Sequence, residues 1–199
     1  MALFDWMTES GPVLHSGDLV LRPPRASDYV AWSDLRDLSR DYLQPWEPAW
    51  PHDDLSRTAF RRRLSLYTRE MDLGGAWPFF ILDMNGQRLV GGMTLSNIRR
   101  GVADCATLGY WIGQPFAGHG YPTQAARMVL SFAFDRLRLH RVEAACLPAN
   151  AASRRVLEKA GFRHEGEARA YLKINGVWSD HLLFGIIEDE FRPGDIDET

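Results

Sequence analysis

Leu19 to Arg22 alternates apolar and polar residues and reads as a strand, which Pro23-Pro24 ends. Ser27 or Asp28 can then cap a helix whose apolar positions Val30, Trp32 and Leu35 lead toward Leu38. Pro45, Pro48 and Pro51 forbid a continuing helix, so Asp41 to Pro51 is predicted to be a stiff extended segment carrying large tryptophan rings. A second helix starts at Asp53 or Asp54, runs through Leu64 and Tyr67, and ends near Gly74-Gly75. From Trp77 the pattern turns to β. Pro78 to Met84 and Leu89 to Ser96 are joined through Asn85-Gly86, a strong hairpin signal, and a third strand runs from Val102 to Ile112. Its last part, Thr107 to Ile112, is apolar and aromatic enough to be a buried strand. In the helix predicted for Pro122 to Leu137, residues Ala126, Val129, Leu130, Ala133 and Leu137 recur at helical spacing and put one face on a sheet. Strand Arg141 to Leu147, helix Ala151 to Ala160, and an antiparallel pair, Phe162 to Ile174 and Val177 to Phe191 around Asn175-Gly176, complete the order. This succession implies a mixed α+β domain with one central sheet, residues 1–199, with 1–16 as an N-terminal extension and 192–199 as a frayed tail.

Composition narrows the class. A chain of 199 residues, 45% hydrophobic and 25% charged, suits a soluble globular domain with a full core. The net charge of -3 argues against an extended nucleic-acid surface, and Arg61-Arg62-Arg63 reads as a solvated helix face or a local contact for an acidic partner. Cys105 and Cys146 stand apart in apolar, strand-like stretches, as reduced thiols of a reducing, cytoplasmic compartment would. Neither they nor the six histidines show metal-ligand spacing. The first ten residues carry acids where a secretory leader needs positive charge, and no apolar run approaches membrane-spanning length.

Chemistry concentrates between Leu108 and Leu137. Gly113, Gly118 and Gly120 lie between a buried strand and a helix opening near Pro122, where proline costs no helix bond at the first position. Free N–H groups and the positive end of the helix dipole there would hold phosphate oxygens. The alternative is a tight strand-to-helix connection. The dinucleotide fingerprint fits poorly, because its third glycine position is Thr123 and no acidic residue follows at the ribose position. No Gly-Lys-Ser/Thr follows either, which excludes a Walker loop. The segment Asp41 to Pro51 is either a hydrophobic cover on the core or a wall of a substrate cleft.

With these runs in view, the chain resembles the GCN5-related N-acetyltransferase (GNAT) superfamily, and within it the RimJ/RimL-type ribosomal-protein-alanine N-acetyltransferases, closer to the RimJ side. The resemblance is carried by LQPWEP (Leu43 to Pro48), SNIRRG (Ser96 to Gly101), LGYWIGQPFAGHGY (Leu108 to Tyr121), LHRVEA (Leu139 to Ala144), PANAASRRVLEKAGF (Pro148 to Phe162) and YLKINGVWSDH (Tyr171 to His181). It implies the GNAT fold, a mixed and mostly antiparallel central sheet with a splayed parallel strand pair, flanked by helices. Acetyl-CoA is then the cosubstrate, with no metal. Its pantetheine would lie in the opening between Thr107 to Ile112 and Arg141 to Leu147, and its pyrophosphate on the amides of Ala117 to Thr123. The cofactor residues implied are Trp111, Ile112, Ala117, Gly118, His119, Gly120, Tyr121, Thr123, Asn150 and Ser153. Ala117 replaces the family's polar first loop residue and keeps its N–H; Pro122 replaces the last small one and has none. His119 or the Thr123 hydroxyl would compensate.

The implied reaction is direct attack of an amine on the thioester. A backbone N–H near Trp111 or Ile112 would polarise the carbonyl. The position of the tyrosine that many relatives use to protonate the thiolate is Leu157 here, so Ser153 is the acid that the resemblance suggests. Asn150 would hold the pantetheine, or act only as an N-cap. A free α-amine is roughly one-tenth neutral at pH 7, so a water wire to a weak base suffices. Glu47, Glu143, Tyr171 and Asp180 are candidates for that base, with Glu47 and Tyr171 ahead. Arg154-Arg155 meets the 3′-phosphate of CoA or solvent, and Arg99-Arg100 could guide an acidic acceptor or a ribosomal RNA surface. The expected acceptor is a protein N-terminus, of a ribosomal protein. The alternatives are a small amine (an amino acid, polyamine or antibiotic) or a non-catalytic acyl-CoA-binding regulator.

Overall fold

A strand whose residues are apolar at every position, rather than at alternate ones, must have both faces covered. Phe79 and Ile81 face one buried cluster, Phe80 and Leu82 another, so their strand runs between two layers of helix. The computed structural model describes residues 11–83 and 88–192. Its eight strands are β1 (Leu14–Ser16), β2 (Leu19–Arg22), β3 (Trp77–Asp83), β4 (Leu89–Arg99), β5 (Cys105–Ile112), β6 (Arg141–Cys146), β7 (Arg163–Ile174) and β8 (Val177–Ile187). They form one sheet in the order β1-β2-β3-β4-β5-β6-β8-β7. Only β5 and β6 are parallel among these neighbours; every other pair is antiparallel.

The helices are α1 (Tyr29–Leu38), α2 (Arg40–Leu43), α3 (Arg57–Asp72), α4 (Tyr121–Ser131) and α5 (Ala151–Ala160). The face of α4 formed by Ala126, Val129 and Leu130 is fully buried with Ile81, Leu95 and Val142 of the sheet. On the opposite face, Trp32 of α1 and Phe60 of α3 meet with ring centroids 4.8 Å apart. Burying such large rings supplies much of that layer's cohesion.

Several local expectations need correcting. The N-terminal extension includes β1, which pairs with β2 at the sheet edge. Asp28 stands at the N-cap position of α1, but its side chain makes no cap bond there. Its carboxylate accepts the Arg25 N–H and both Arg22 guanidinium nitrogens, and a 3₁₀ turn at Ala26–Asp28 leads in instead. On α1, Trp32 and Leu35 are buried while Val30 and Leu38 are exposed. The cap of α3 is Ser56, whose hydroxyl accepts the Ala59 N–H, while Asp53 and Asp54 pair with Arg62 and Arg63 one turn inside. Asp41 to Pro51 is not extended throughout, because α2 and a 3₁₀ turn at Gln44–Trp46 occupy its first part. Pro45 lies at the start of that turn, where its missing N–H breaks nothing. Pro122 is the second helical residue, since α4 begins at Tyr121, and the helix widens into a π turn over Phe132–Arg136. The last strand ends at Ile187 in a 3₁₀ turn. The Asn85-Gly86 turn, residues 1–10 and residues 193–199 lie outside the described residues. Both cysteines are buried and free. Among the described residues, no helix is long and apolar enough to cross a membrane, and no cluster of metal-ligating side chains occurs.

Candidate active site

The parallel pair is short. β5 and β6 are in register only at Cys105↔Arg141, Ala106↔Val142 and Thr107↔Glu143, after which the two strands part. Gly113 donates its N–H to Val90 of β4 at 2.9 Å. Backbone direction alternates along a strand, so the N–H of Trp111 also turns toward β4, and those of Tyr110 and Ile112 turn toward the opening. Of the two predicted carbonyl donors, Ile112 therefore presents its amide to the gap and Trp111 does not. Such an unpaired edge is a template for the amides of an extended molecule.

Beyond the gap the chain turns through the glycine loop. Gly118 and Gly120 take φ of +82° and +80°, a left-handed conformation that strains other residues, and open space lies where a Cβ would stand. The Ala117 N–H is committed to the Gln114 carbonyl, and that of Thr123 to the Gly120 carbonyl. Among the described residues, the loop amides left without a backbone partner are those of Gly118, His119, Gly120 and Tyr121, a narrower set than Ala117 to Thr123. They sit at the start of α4, where the helix dipole favours an anion.

A cleft of about 910 Å³ joins these features. Its lining brings together Glu47, Trp111, Ile112, Ala117, Gly118, Gly120, Thr123, Asn150 and Ser153 from the predicted set. It does not include His119, Tyr121 or Tyr171. His119 lies over the Tyr121 ring with Nδ1 3.0 Å from the Ala117 carbonyl, and Tyr121 meets Phe116 edge to face. Tyr171 is 47% exposed at the rim. Arg155 lines the cleft and Arg154 does not; Lys159, one helical turn on, joins Arg155. Glu143 pairs with Arg99 and Arg141, Arg100 pairs with Asp104, and Asp180 accepts the Ala170 N–H, so all are held in local contacts.

At the start of α5, Asn150 is an N-cap: its Oδ1 accepts the Ser153 N–H at 3.0 Å. This fixes the backbone of Ser153 and leaves its hydroxyl 2.7 Å from the Tyr110 hydroxyl. Burial raises the Tyr110 phenol well above its ordinary value, despite the hydrogen bond to Ser153, and burial likewise raises the neighbouring Cys146 thiol. Both stay protonated at neutral pH. Leu157, at the position of the missing tyrosine, is fully buried, so no side chain there reaches the cleft.

Across the cleft, both oxygens of Glu47 are engaged. Arg36 donates to each, at 3.1 and 2.6 Å, and Trp50 Nε1 donates to one at 2.7 Å. The Arg36 guanidinium also lies between the Trp50 and Trp111 rings, 4.3 and 5.1 Å from their centroids. The Glu47 carbonyl accepts the Asn175 N–H at 2.8 Å, which ties the proline-rich segment to the last hairpin. These two elements form one wall of the cleft. Tyr110, Lys159 and His181, which line the cleft, and Arg36, which holds Glu47, are residues that sequence reasoning did not single out. Tyr110 and His181 stood inside quoted motifs, but which side they face depends on the strand opening and the hairpin register.

The Acetyltransferase (GNAT) domain family matches residues 18–163. The chain belongs to that family. This GNAT protein is an acyltransferase. It is 30% identical over 176 residues, 88% of its own length and 91% of the relative's, to the [Ribosomal protein uS5]-alanine N-acetyltransferase of Escherichia coli (strain K12). The solved structure of ribosomal-protein-S5-alanine acetyltransferase from Vibrio fischeri superposes with a TM-score of 0.83 at 31% identity, covering 91% of this chain and 99% of that one. Mycobacterium smegmatis RimJ in complex with CoA-disulfide gives 0.83 at 36% identity, covering 90% and 87%. The GNAT fold thus accounts for the mixed sheet and for the parting of its parallel strands.

Proposed function

We propose that this chain transfers an acetyl group from acetyl-CoA to the α-amine of a protein N-terminus, that of a ribosomal protein. The observation that carries the reading is the loss of pairing between β5 and β6 beyond Thr107 and Glu143, beside a loop of free amides. The residues present fit the cosubstrate: an unpaired strand edge for the pantetheine amides, open space at Gly118 and Gly120 for the pyrophosphate, and Arg155 with Lys159 as cations along the same cleft. Acetyl-CoA supplies an acyl group already activated as a thioester. The Ile112 N–H polarises the carbonyl, the Ser153 hydroxyl protonates the departing sulfur, and Glu47 shapes the acceptor wall through Arg36. Asn150 holds Ser153 in place, Thr123 lines the phosphate end, and Tyr171 belongs to the rim.

A protein acceptor is favoured by the apolar rim of the cleft. Leu172 lines it, and Tyr171, Val177 and Trp178 beside it on the same hairpin are exposed, Trp178 at 63%. Trp46 adds a ring from the proline-rich segment in the same wall. Such a rim suits a polypeptide better than a compact polar amine. The relatives named for uS5 alanine point the same way. We read residues 1–199 as one domain, because one sheet takes in all the described strands, and place it in the cytoplasm, where free thiols persist. The test is thiol release with acetyl-CoA and an acceptor panel of N-terminal peptides, α-blocked peptides and small amines. Turnover is expected on free N-terminal peptides and lost on blocking. Turnover confined to small amines overturns the protein acceptor, and CoA binding without turnover on any acceptor overturns the transferase reading of this cleft.

A further inference from the structure

His181 is 2% exposed and lies in the wall that the last hairpin shares with the proline-rich segment. Its Nδ1 is 2.9 Å from the Ser179 carbonyl. A carbonyl oxygen only accepts, so this contact puts the neutral ring's proton on Nδ1 and leaves a lone pair on Nε2. Nε2 has no hydrogen-bond partner among the described residues, and it is not one of the buried, unpartnered side-chain atoms that solvent cannot reach. His181 lines the cleft, and Nε2 is its ring nitrogen left free to accept a proton. The ring is braced by Tyr171, edge-on with centroids 5.8 Å apart.

We propose that His181 Nε2 receives the proton shed by the acceptor amine. The inference rests on the reading of the cleft as an acetyl-transfer site. The amine nitrogen forms a bond to the thioester carbonyl carbon and loses a proton to Nε2; the carbon–sulfur bond breaks, its electron pair leaves on sulfur, and Ser153 gives sulfur a proton. Passage of the imidazolium proton through cleft water to Ser153 Oγ restores both groups, and the net products are the amide and free thiol. Other side chains are poorly placed for this task. The Glu47 carboxylate is filled by Arg36 and Trp50, and Tyr171 stands outside the cleft lining. The remaining charged groups of the cleft, Arg155, Lys159 and Lys173, are cations. The Tyr110 phenol and the Cys146 thiol, both raised by burial, are protonated at neutral pH.

The test is the pH dependence of kcat/KM for wild type and His181→Asn on an N-terminal peptide. Asparagine keeps an N–H for the Ser179 carbonyl and removes Nε2. Removing one of two proton acceptors removes one proton from the pH dependence, so the acid limb of log kcat/KM has a slope of about two in wild type and about one in the variant. Turnover falls about 100-fold, CoA affinity is unchanged, and added imidazole restores part of the rate. A variant with near wild-type turnover, or one that loses turnover but keeps the slope and is not rescued, overturns the proposal while leaving the transferase reading intact. If His181→Asn does not fold, His181→Gln takes its place; if neither folds, a wild-type slope of one overturns it. A wild-type protein that binds CoA and acetylates no acceptor overturns both.

Discussion

Ser153 is held from two directions, by Asn150 at its N–H and by Tyr110 at its hydroxyl. Burial keeps the Tyr110 phenol protonated, and its one proton can go to the Ser153 carbonyl at 3.2 Å or to Ser153 Oγ at 2.7 Å; given to Oγ, it leaves the serine proton free to point elsewhere in the cleft. That arrangement suits a hydroxyl that must protonate sulfur in the transition state and do little in the ground state. Ser153→Ala is expected to lower kcat about 100-fold with little change in CoA affinity. Tyr110→Phe removes the orienting donor but leaves the serine, so its loss should be smaller, about tenfold. Steady-state kinetics with calorimetric CoA titration checks both. An affinity loss that matches the rate loss would make Ser153 a binding residue instead.

At the scale of the elements, the sheet beyond the opening depends on a pair that crosses a strand. Arg141 on β6 and Glu165 on β7 meet over β8, with one contact at 2.8 Å. They can do so because Gly185 stands between them: a Cβ there would collide with the Arg141 guanidinium and lie 2.6 Å from a Glu165 oxygen. Hydrogen bonding to Arg141 lowers the Glu165 carboxyl below its ordinary range, against a weaker opposing effect of burial. A lowered folded value means stability that is fully present above the unfolded value, about 4.3, and lost as pH falls through the folded one. Gly185→Ala and Glu165→Gln should both lower the melting temperature at pH 7 and converge with wild type in strong acid. A wild-type-like acid profile in both would show that the pair does not stabilise the sheet. This glycine was not legible in sequence, since its meaning lies in residues 44 positions before and 20 before it, joined only by the β6-β8-β7 order. The strands from β2 onward and α5 were legible because their apolar periods are local, whereas three-residue β1 was not. The side-chain caps of α1 and α3 were not, because Asp28, Asp53 and Asp54 had arginine partners that competed for their carboxylates. The proline segment was misread because a proline opening a 3₁₀ turn breaks no hydrogen bond there.

For the molecule as a whole, β1 to β5 and the β6-β8-β7 group are joined within the sheet by three residue pairs, and the cleft is the gap that follows them. Sequence could place the two strands beside the gap but not the direction of each amide, which depends on the register that β4 imposes on β5. That direction gives a pattern to measure. A bound extended cosubstrate should act as a strand between the halves, protecting the amides of Tyr110 and Ile112 and, at the phosphate end, those of Gly118, His119, Gly120 and Tyr121. Gly109, Trp111 and Gly113 already face β4 and should change no more than the core does. At a CoA concentration of about 100 times Kd the whole fold gains about 2.7 kcal/mol, so every globally exchanging amide slows by about 100-fold, and the local signal is what exceeds that shift. Hydrogen exchange read residue by residue, with and without CoA, separates the two. Alternation along β5, with Tyr110 and Ile112 protected and Trp111 not, is the result expected of an edge occupied by an extended partner. Uniform slowing along β5 would mean that CoA stabilises the fold from some other site, and the opening between β5 and β6 would then not be where it binds.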